Sequence, residues 1–198
     1  MASLAAAKQD LRAYIRAQRE ARDPRERATA AQAFARNALK VSAASGVLVS
    51  AYQSMPSEPG TGALIADLRL RGDTVLLPRI VGRDLEWVEV THGTEFARGP
   101  LGILEPTGPG LPVRPHPLAD AEVLFMPALA VDHSGRRLGQ GGGYYDKALA
   151  GLRRFADGGP LRVALLFDDE LVDSVPSEDH DCLVDAVVTP NRVVPLPS

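Results

Sequence analysis

The segment Asp132–Lys147, D-H-S-G-R-R-L-G-Q-G-G-G-Y-Y-D-K, constrains the chain more than any other. It follows an apolar run, Val123–Val131, and precedes Ala148, Leu149 and Leu152, whose spacing is helical. A buried strand, a loop and a helix start are therefore expected in succession. Four of the five residues from 139 to 143 are glycine (Gly139, Gly141, Gly142, Gly143). They open backbone conformations closed to other residues and let a ligand approach the main chain. Free N–H groups at a helix start, beside Arg136, Arg137 and Lys147, favour an anion, phosphate first of all. Asp146 would repel a bare phosphate, so a magnesium nucleotide fits the pattern better. A plain connecting turn is the alternative, but three consecutive glycines each cost roughly 0.5–1 kcal/mol of ordering relative to alanine. The P-loop pattern is absent, and Tyr144 stands where a dinucleotide fingerprint needs its last glycine.

A chain of 198 residues suits one domain spanning 1–198. With 22 basic and 25 acidic residues the formal net charge is −3, so any anion site must be local and non-specific nucleic-acid binding is disfavoured. The single cysteine, Cys182, excludes an intramolecular disulfide and a cysteine-based zinc site. His92, His116, His133 and His180 lack metal-ligand spacing. Lys8, Asp10 and Arg12 interrupt any signal-like apolar run, and no stretch approaches ~18 apolar residues, so a cytoplasmic protein is expected.

Residues 3 to about 21 read as a helix with Leu4, Ala7, Leu11, Tyr14 and Ile15 on one side. Lys8, Arg12 and Arg16 stack on one face of it with Arg19 close by, which by itself reads as a solvated stripe. Asp23 as N-cap, Pro24 at the first position and Glu26 as capping-box partner begin a second helix through Ala30, Phe34 and Leu39, completing a helical hairpin. Gly46–Gln53 is an apolar strand. Ser54–Gly60 forms the loop after it, where ligands bind in open α/β sheets, which draws attention to Glu58. A helix from Thr61 to Gly72 and strands at Thr74–Val81 and Leu85–Val90, closed near Gly82–Asp84, come next. Thr91–Asp120 has little periodicity and is read as a wall or lid of the site. Further strands are expected at Leu161–Phe167 and Val184–Thr189. The alternation implies a mixed sheet with helices on both faces.

The run R-L-G-Q-G-G-G-Y-Y-D, preceded by M-P-A-L-A-V-D, resembles the signature of the 5-formyltetrahydrofolate cyclo-ligase family. Weaker matches follow in the family's order: K-x-x-L-R at Lys8–Arg12, S-M-P-S-E-P-G-T, G-I-L-E-P at Gly102–Pro106, and V-P-x-E-x-H-D followed by V-D-A-V-V-T. The resemblance spans essentially the whole chain. It implies a single-domain three-layer α/β/α fold with a mixed, mostly parallel sheet, related to the sugar-phosphate isomerase and CoA-transferase-like group. It also implies the ATP- and Mg2+-dependent closure of 5-formyltetrahydrofolate to 5,10-methenyltetrahydrofolate, releasing ADP and phosphate through a phosphorylated formyl group. ATP contacts would fall on Lys8, Gln9, Asp10, Leu11 and Arg12 and on Arg137, Leu138, Gly139, Gln140, Gly141, Gly142, Gly143, Tyr144 and Tyr145. Folate contacts would fall on Met55, Glu58, Gly60, Gln140, Gly142 and Tyr144, and the metal carboxylates on Asp146 and Asp185. Arg16 and Arg19 keep the surface reading. Many relatives carry an acid where Gly60 stands; if that acid grips the pterin, either Glu58 takes its part or the affinity for substrate differs. A monomer binding 5-formyltetrahydrofolate and ATP, with no nucleic-acid or membrane partner, is the expectation. A non-catalytic folate, nucleotide or RNA binder and a sugar-phosphate isomerase are the competing readings. The intact Lys8, glycines and Asp146 weigh against the first, and a requirement for ATP would exclude the second.

Overall fold

The computed structural model describes residues 3–42, 44–112, 116–178 and 181–197. Helix α1, Leu4–Ala21, starts where the Ser3 side chain accepts the Ala6 N–H. Helix α2, Pro24–Ala38, starts where Asp23 Oδ1 accepts the Arg25 N–H at 2.6 Å. The expected capping box does not form, because Glu26 turns instead to the Arg22 guanidinium. Nor do the two helices pair as a hairpin. α2 packs against helix α3, Gly62–Leu70, while Ile15 and Leu11 of α1 join a separate apolar cluster with Leu129, Leu138 and Val175.

Seven strands make the main sheet: β1 (Leu48–Ser50), β2 (Thr74–Val81), β3 (Asp84–Glu89), β6 (Val123–Pro127), β9 (Leu161–Leu165), β11 (Ala186–Val188) and β12 (Val193–Pro195). Their spatial order is β12-β11-β9-β6-β1-β2-β3, with five parallel strands in the middle and an antiparallel strand at each edge. The mixed, mostly parallel α/β sheet is as expected. Alternate residues of the central strands serve opposite faces. Val75, Leu77, Val123, Phe125, Val163 and Leu165 pack under α2 and α3, and Leu76, Leu124, Met126, Ala164 and Val187 pack on the other side. Burial on both faces explains why these strands read as continuous apolar runs. The second face is covered mostly by loops and by helix α4, Tyr144–Ala148.

The run from Val123 to Val131 is two strands, not one. β6 ends at Pro127, and the chain then enters a small sheet of β7 (Ala130–Asp132), β8 (Arg137–Leu138) and β10 (Leu171–Val172). The proline-rich segment after Val90 contains a ribbon of β4 (Phe96–Arg98) and β5 (Leu104–Pro106). No helix among the described residues is long and apolar enough to cross a membrane.

Candidate functional site

From β1 the chain moves to β2 on one side, whereas β6 leads to β9 and β11 on the other. The crevice between the carboxyl ends of β1 and β6 is thus the topological switch point of the sheet, the usual ligand position in open α/β folds. A cavity of about 640 Å³ lies there. The loop after β1 supplies Tyr52, Gln53, Met55 and Glu58, the end of β6 supplies Pro127, and the segment after it supplies residues 137–147. Helix α1 closes one side with Lys8 and Arg12. The opposite wall is apolar, made by Pro78, Ile80 and Leu85 of the β2–β3 ribbon and by Leu101, Ile103 and Leu104 around β5. The cavity therefore offers charge at one end and a surface for flat rings at the other. Part of Thr91–Asp120 is a wall of the site, as expected; Val113, Arg114 and Pro115 within it lie outside the described residues.

The glycine loop owes its composition to two demands. Gly141 (φ +104°) and Gly143 (φ +67°) adopt the left-handed region. At Gly142 a Cβ would lie 2.8 Å from the Tyr144 ring, and at Gly139 it would lie 2.9 Å from an Arg137 nitrogen. The N–H groups of Gly141, Gly142 and Gly143 donate to no acceptor among the described residues, which leaves donors at the cavity for an anion. The helix that follows is a single turn of five residues, so its dipole adds less than a long helix would.

The basic ridge of α1 turns inward, each residue to a different partner. Lys8 Nζ bonds Glu178 at 3.0 Å and Asp181 at 2.7 Å. Burial alone would lower the Lys8 pKa, but these two carboxylates outweigh it and hold the amine above its ordinary value. Arg12 Nε donates to the Gly139 carbonyl at 2.9 Å. Arg16 donates to the main-chain and side-chain oxygens of Gln140. Arg19, expected at the surface, is 1% exposed and forms a bidentate pair with Glu170 at 2.7 and 2.8 Å while also donating to the Ala128 carbonyl. Gln9 and Asp10 face solvent, and Leu11 packs with the cluster around Ile15, so these three ATP-contact candidates do not line the cavity.

Among the folate candidates, Glu58 is 6% exposed. Its Oε2 accepts the Met55 N–H at 2.9 Å and its Oε1 accepts Gln140 Nε2 at 2.9 Å. Gly60 is not part of the cavity wall. It faces α2, where a Cβ would come within 2.9 Å of the Ala31 Cβ, so at this backbone position a side chain would meet a helix. Tyr144 and Tyr145 both line the cavity. Tyr145 packs edge-on to Trp87, and burial raises its pKa well above the ordinary phenol range. Its buried hydroxyl has no hydrogen-bond partner among the described residues.

The structure separates the two metal candidates. Asp146 lines the cavity, and its Oδ1 accepts Arg137 Nη2 at 2.8 Å and the Cys182 N–H at 3.1 Å. Asp185 lies outside the cavity wall. Its carboxylate accepts the Arg162 N–H at 2.9 Å, and burial pushes its pKa above the ordinary value despite that bond. No group of three potential metal ligands occurs among the described residues. Arg137 is itself buried, spanning Asp146 and the Pro127 carbonyl, and it ties the end of β6 to α4. The sequence does not single out Tyr52, the Pro78, Ile80 and Leu85 half of the apolar wall, or Arg16 as a contact to the loop. Glu178 and Asp181 lay within a quoted motif whose His180 falls outside the described residues.

The family model described as the 5-formyltetrahydrofolate cyclo-ligase family matches residues 4–190. The chain is 40% identical over 156 residues to a 5-formyltetrahydrofolate cyclo-ligase of Mycolicibacterium smegmatis, covering 75% of this chain and 76% of that protein. It is 34% identical to the Escherichia coli K12 protein of the same name, covering 73% and 79%. Its fold is similar to that of the Aquifex aeolicus 5,10-methenyltetrahydrofolate synthetase, with a TM-score of 0.77 at 24% identity over 96% of this chain and 93% of that one.

Proposed function

The chain belongs to the 5-formyltetrahydrofolate cyclo-ligase family, whose ATP-dependent reaction closes 5-formyltetrahydrofolate to 5,10-methenyltetrahydrofolate, and we propose that the switch-point cavity is where both substrates meet. One observation carries this: Arg12 and glycine N–H groups that have no acceptor among the described residues open onto the same cavity as the buried Glu58 carboxylate and an apolar wall. The phosphates of ATP lie against the N–H groups of residues 141–143 and the Arg12 guanidinium. Because Arg12 commits its Nε to Gly139, its terminal nitrogens face the ligand in a fixed orientation. Lys8 holds the segment carrying Glu178 and Asp181 at the cavity edge. The pterin lies toward the apolar wall, within reach of Glu58.

A formamide oxygen is a poor leaving group, so the reaction needs it converted to phosphate. In the proposed route the formyl oxygen attacks the γ-phosphorus and the bond to ADP breaks. N10 then attacks the formyl carbon and gives up its proton, and the carbon–oxygen bond breaks to release phosphate, which takes up that proton. The protein supplies alignment and donors for the charge that develops on the phosphoryl oxygens. Asp146 fits a Mg2+ carried in by the nucleotide, since that ion commonly keeps one or two protein carboxylates plus phosphates and water. Such an ion would offset charge between the β- and γ-phosphates. Asp185 is left out of this assignment by its position. The test uses 5-formyltetrahydrofolate labelled with oxygen-18 in the formyl group. The methenyl chromophore, one ADP per turnover and label in inorganic phosphate are expected. Label released as water, with none in phosphate, would exclude the phosphorylated intermediate.

A further inference from the structure

We propose that Gln140 is a positioning residue that couples the nucleotide half of the cavity to the folate half, a role that rests on the assignment of the two substrates above. Its carboxamide is held at both ends. Oε1 accepts from Arg16 Nε at 3.2 Å and Nη2 at 2.9 Å, and Nε2 donates to Glu58 Oε1 at 2.9 Å. An amide side chain, which both accepts and donates, meets both partners. An acid at this position would satisfy Arg16 and repel Glu58, and a base would do the reverse. The orientation of the amide is fixed by the same chemistry, because exchanging its oxygen and nitrogen would set donor against donor and acceptor against carboxylate.

The main chain at this point is fixed as well. The Gln140 carbonyl accepts Arg16 Nη2 at 2.9 Å, and the preceding Gly139 carbonyl accepts Arg12 Nε at 2.9 Å. On the other side the Glu58 Oε2 accepts the Met55 N–H. The backbone that presents N–H groups to phosphate and the carboxylate placed for folate are therefore joined by one side chain. Neither moves without the other. Phosphate binding that settles the loop also settles Glu58, so the second substrate meets an ordered carboxylate. By reciprocity, folate binding favours the nucleotide by the same factor.

The experiment is calorimetric titration of 5-formyltetrahydrofolate with and without saturating magnesium and the β,γ-imido analogue of ATP, which blocks turnover. The ratio of the two Kd values is the coupling factor. In the native protein a factor of at least about fivefold is expected, within the usual range for linked sites. Gln140→Ala should bring it close to one, and Gln140→Glu should do the same while keeping the Arg16 contact. Arg16→Ala, at an exposed position, should lower it in part and serves if a Gln140 variant fails to fold. A native factor of one overturns the proposal. So does an unchanged factor in Gln140→Ala, even if both affinities fall in parallel, for Gln140 is then an ordinary contact. Failure of 5-formyltetrahydrofolate to bind the native protein under either condition removes the substrate assignment itself.

Discussion

Arg16 and Arg19 show what a single residue's environment decides. Both lie on one ridge of α1 and look alike in the sequence, yet Arg16 is exposed while Arg19 is sealed against Glu170. Burial pushes the Glu170 carboxyl up against the stabilising bonds from Arg19, so the pair depends on both partners. Arg19→Ala should therefore destabilise the protein by about 3–5 kcal/mol in chemical denaturation, whereas Arg19→Met with Glu170→Leu should recover most of the loss. Equal instability of the single and double variants would show that the shape of the pair, not its charge, matters. Asp132 is a second case. Burial alone would raise its pKa, but the Ser134 hydroxyl and the N–H groups of Val175, Ser134 and Arg136 hold it below the ordinary value. Its stabilising effect is complete above the usual carboxylate pKa, near 4, and is lost as pH falls through the lower folded value. Asp132→Asn should cost about 1–3 kcal/mol at neutral pH, with the gap to the parent closing as the pH falls below the usual carboxylate range. A gap independent of pH would rule out this linkage. The sequence pattern contained Asp132 with its near donors Ser134 and Arg136, but not Val175, 43 residues on, nor the partners of Arg16 and Arg19, which lie 124 and 151 residues away.

Among the elements, the glycine loop was the most legible and its flanks the least. The apolar run before it merged two strands, because β6 and β7 are both buried and hydrophobicity reports burial without saying which sheet a residue joins. The β4–β5 ribbon escaped notice for the opposite reason: β4 is exposed throughout, so no alternation marks it. Loop and α1 act as one unit through Arg12. Arg12→Ala should raise the apparent KM for ATP by roughly tenfold or more and that for folate much less. Asp146→Asn should weaken the magnesium dependence of the rate far more than folate binding. Equal effects on both ligands would make Asp146 an architectural residue that orients Arg137 and the Cys182 backbone.

At the scale of the molecule, the alternation of strands and helices announced a mixed sheet, but nothing in the sequence disclosed that β1 and β6 are neighbours. That pairing creates the crevice and draws the loop after β1 and the glycine loop to one cavity. If the two substrates share it, 5-formyltetrahydrofolate and the imido nucleotide added together at about 100 times their Kd should each add up to ~2.7 kcal/mol of stability, more where they are coupled. Hydrogen exchange should slow in α1 and the glycine loop in the same step. Ligand protection confined to the loop would mean that α1 is outside the site. Lys8 meets Glu178 and Asp181 across 170 and 173 residues of chain. During synthesis at about 5–20 residues per second, those acids emerge roughly ten to thirty seconds after Lys8. A growing chain must carry its basic helix for that interval without the carboxylates that anchor it. The cavity therefore closes late, and a stalled chain should expose α1 to chaperones and proteases although its first strands have already paired.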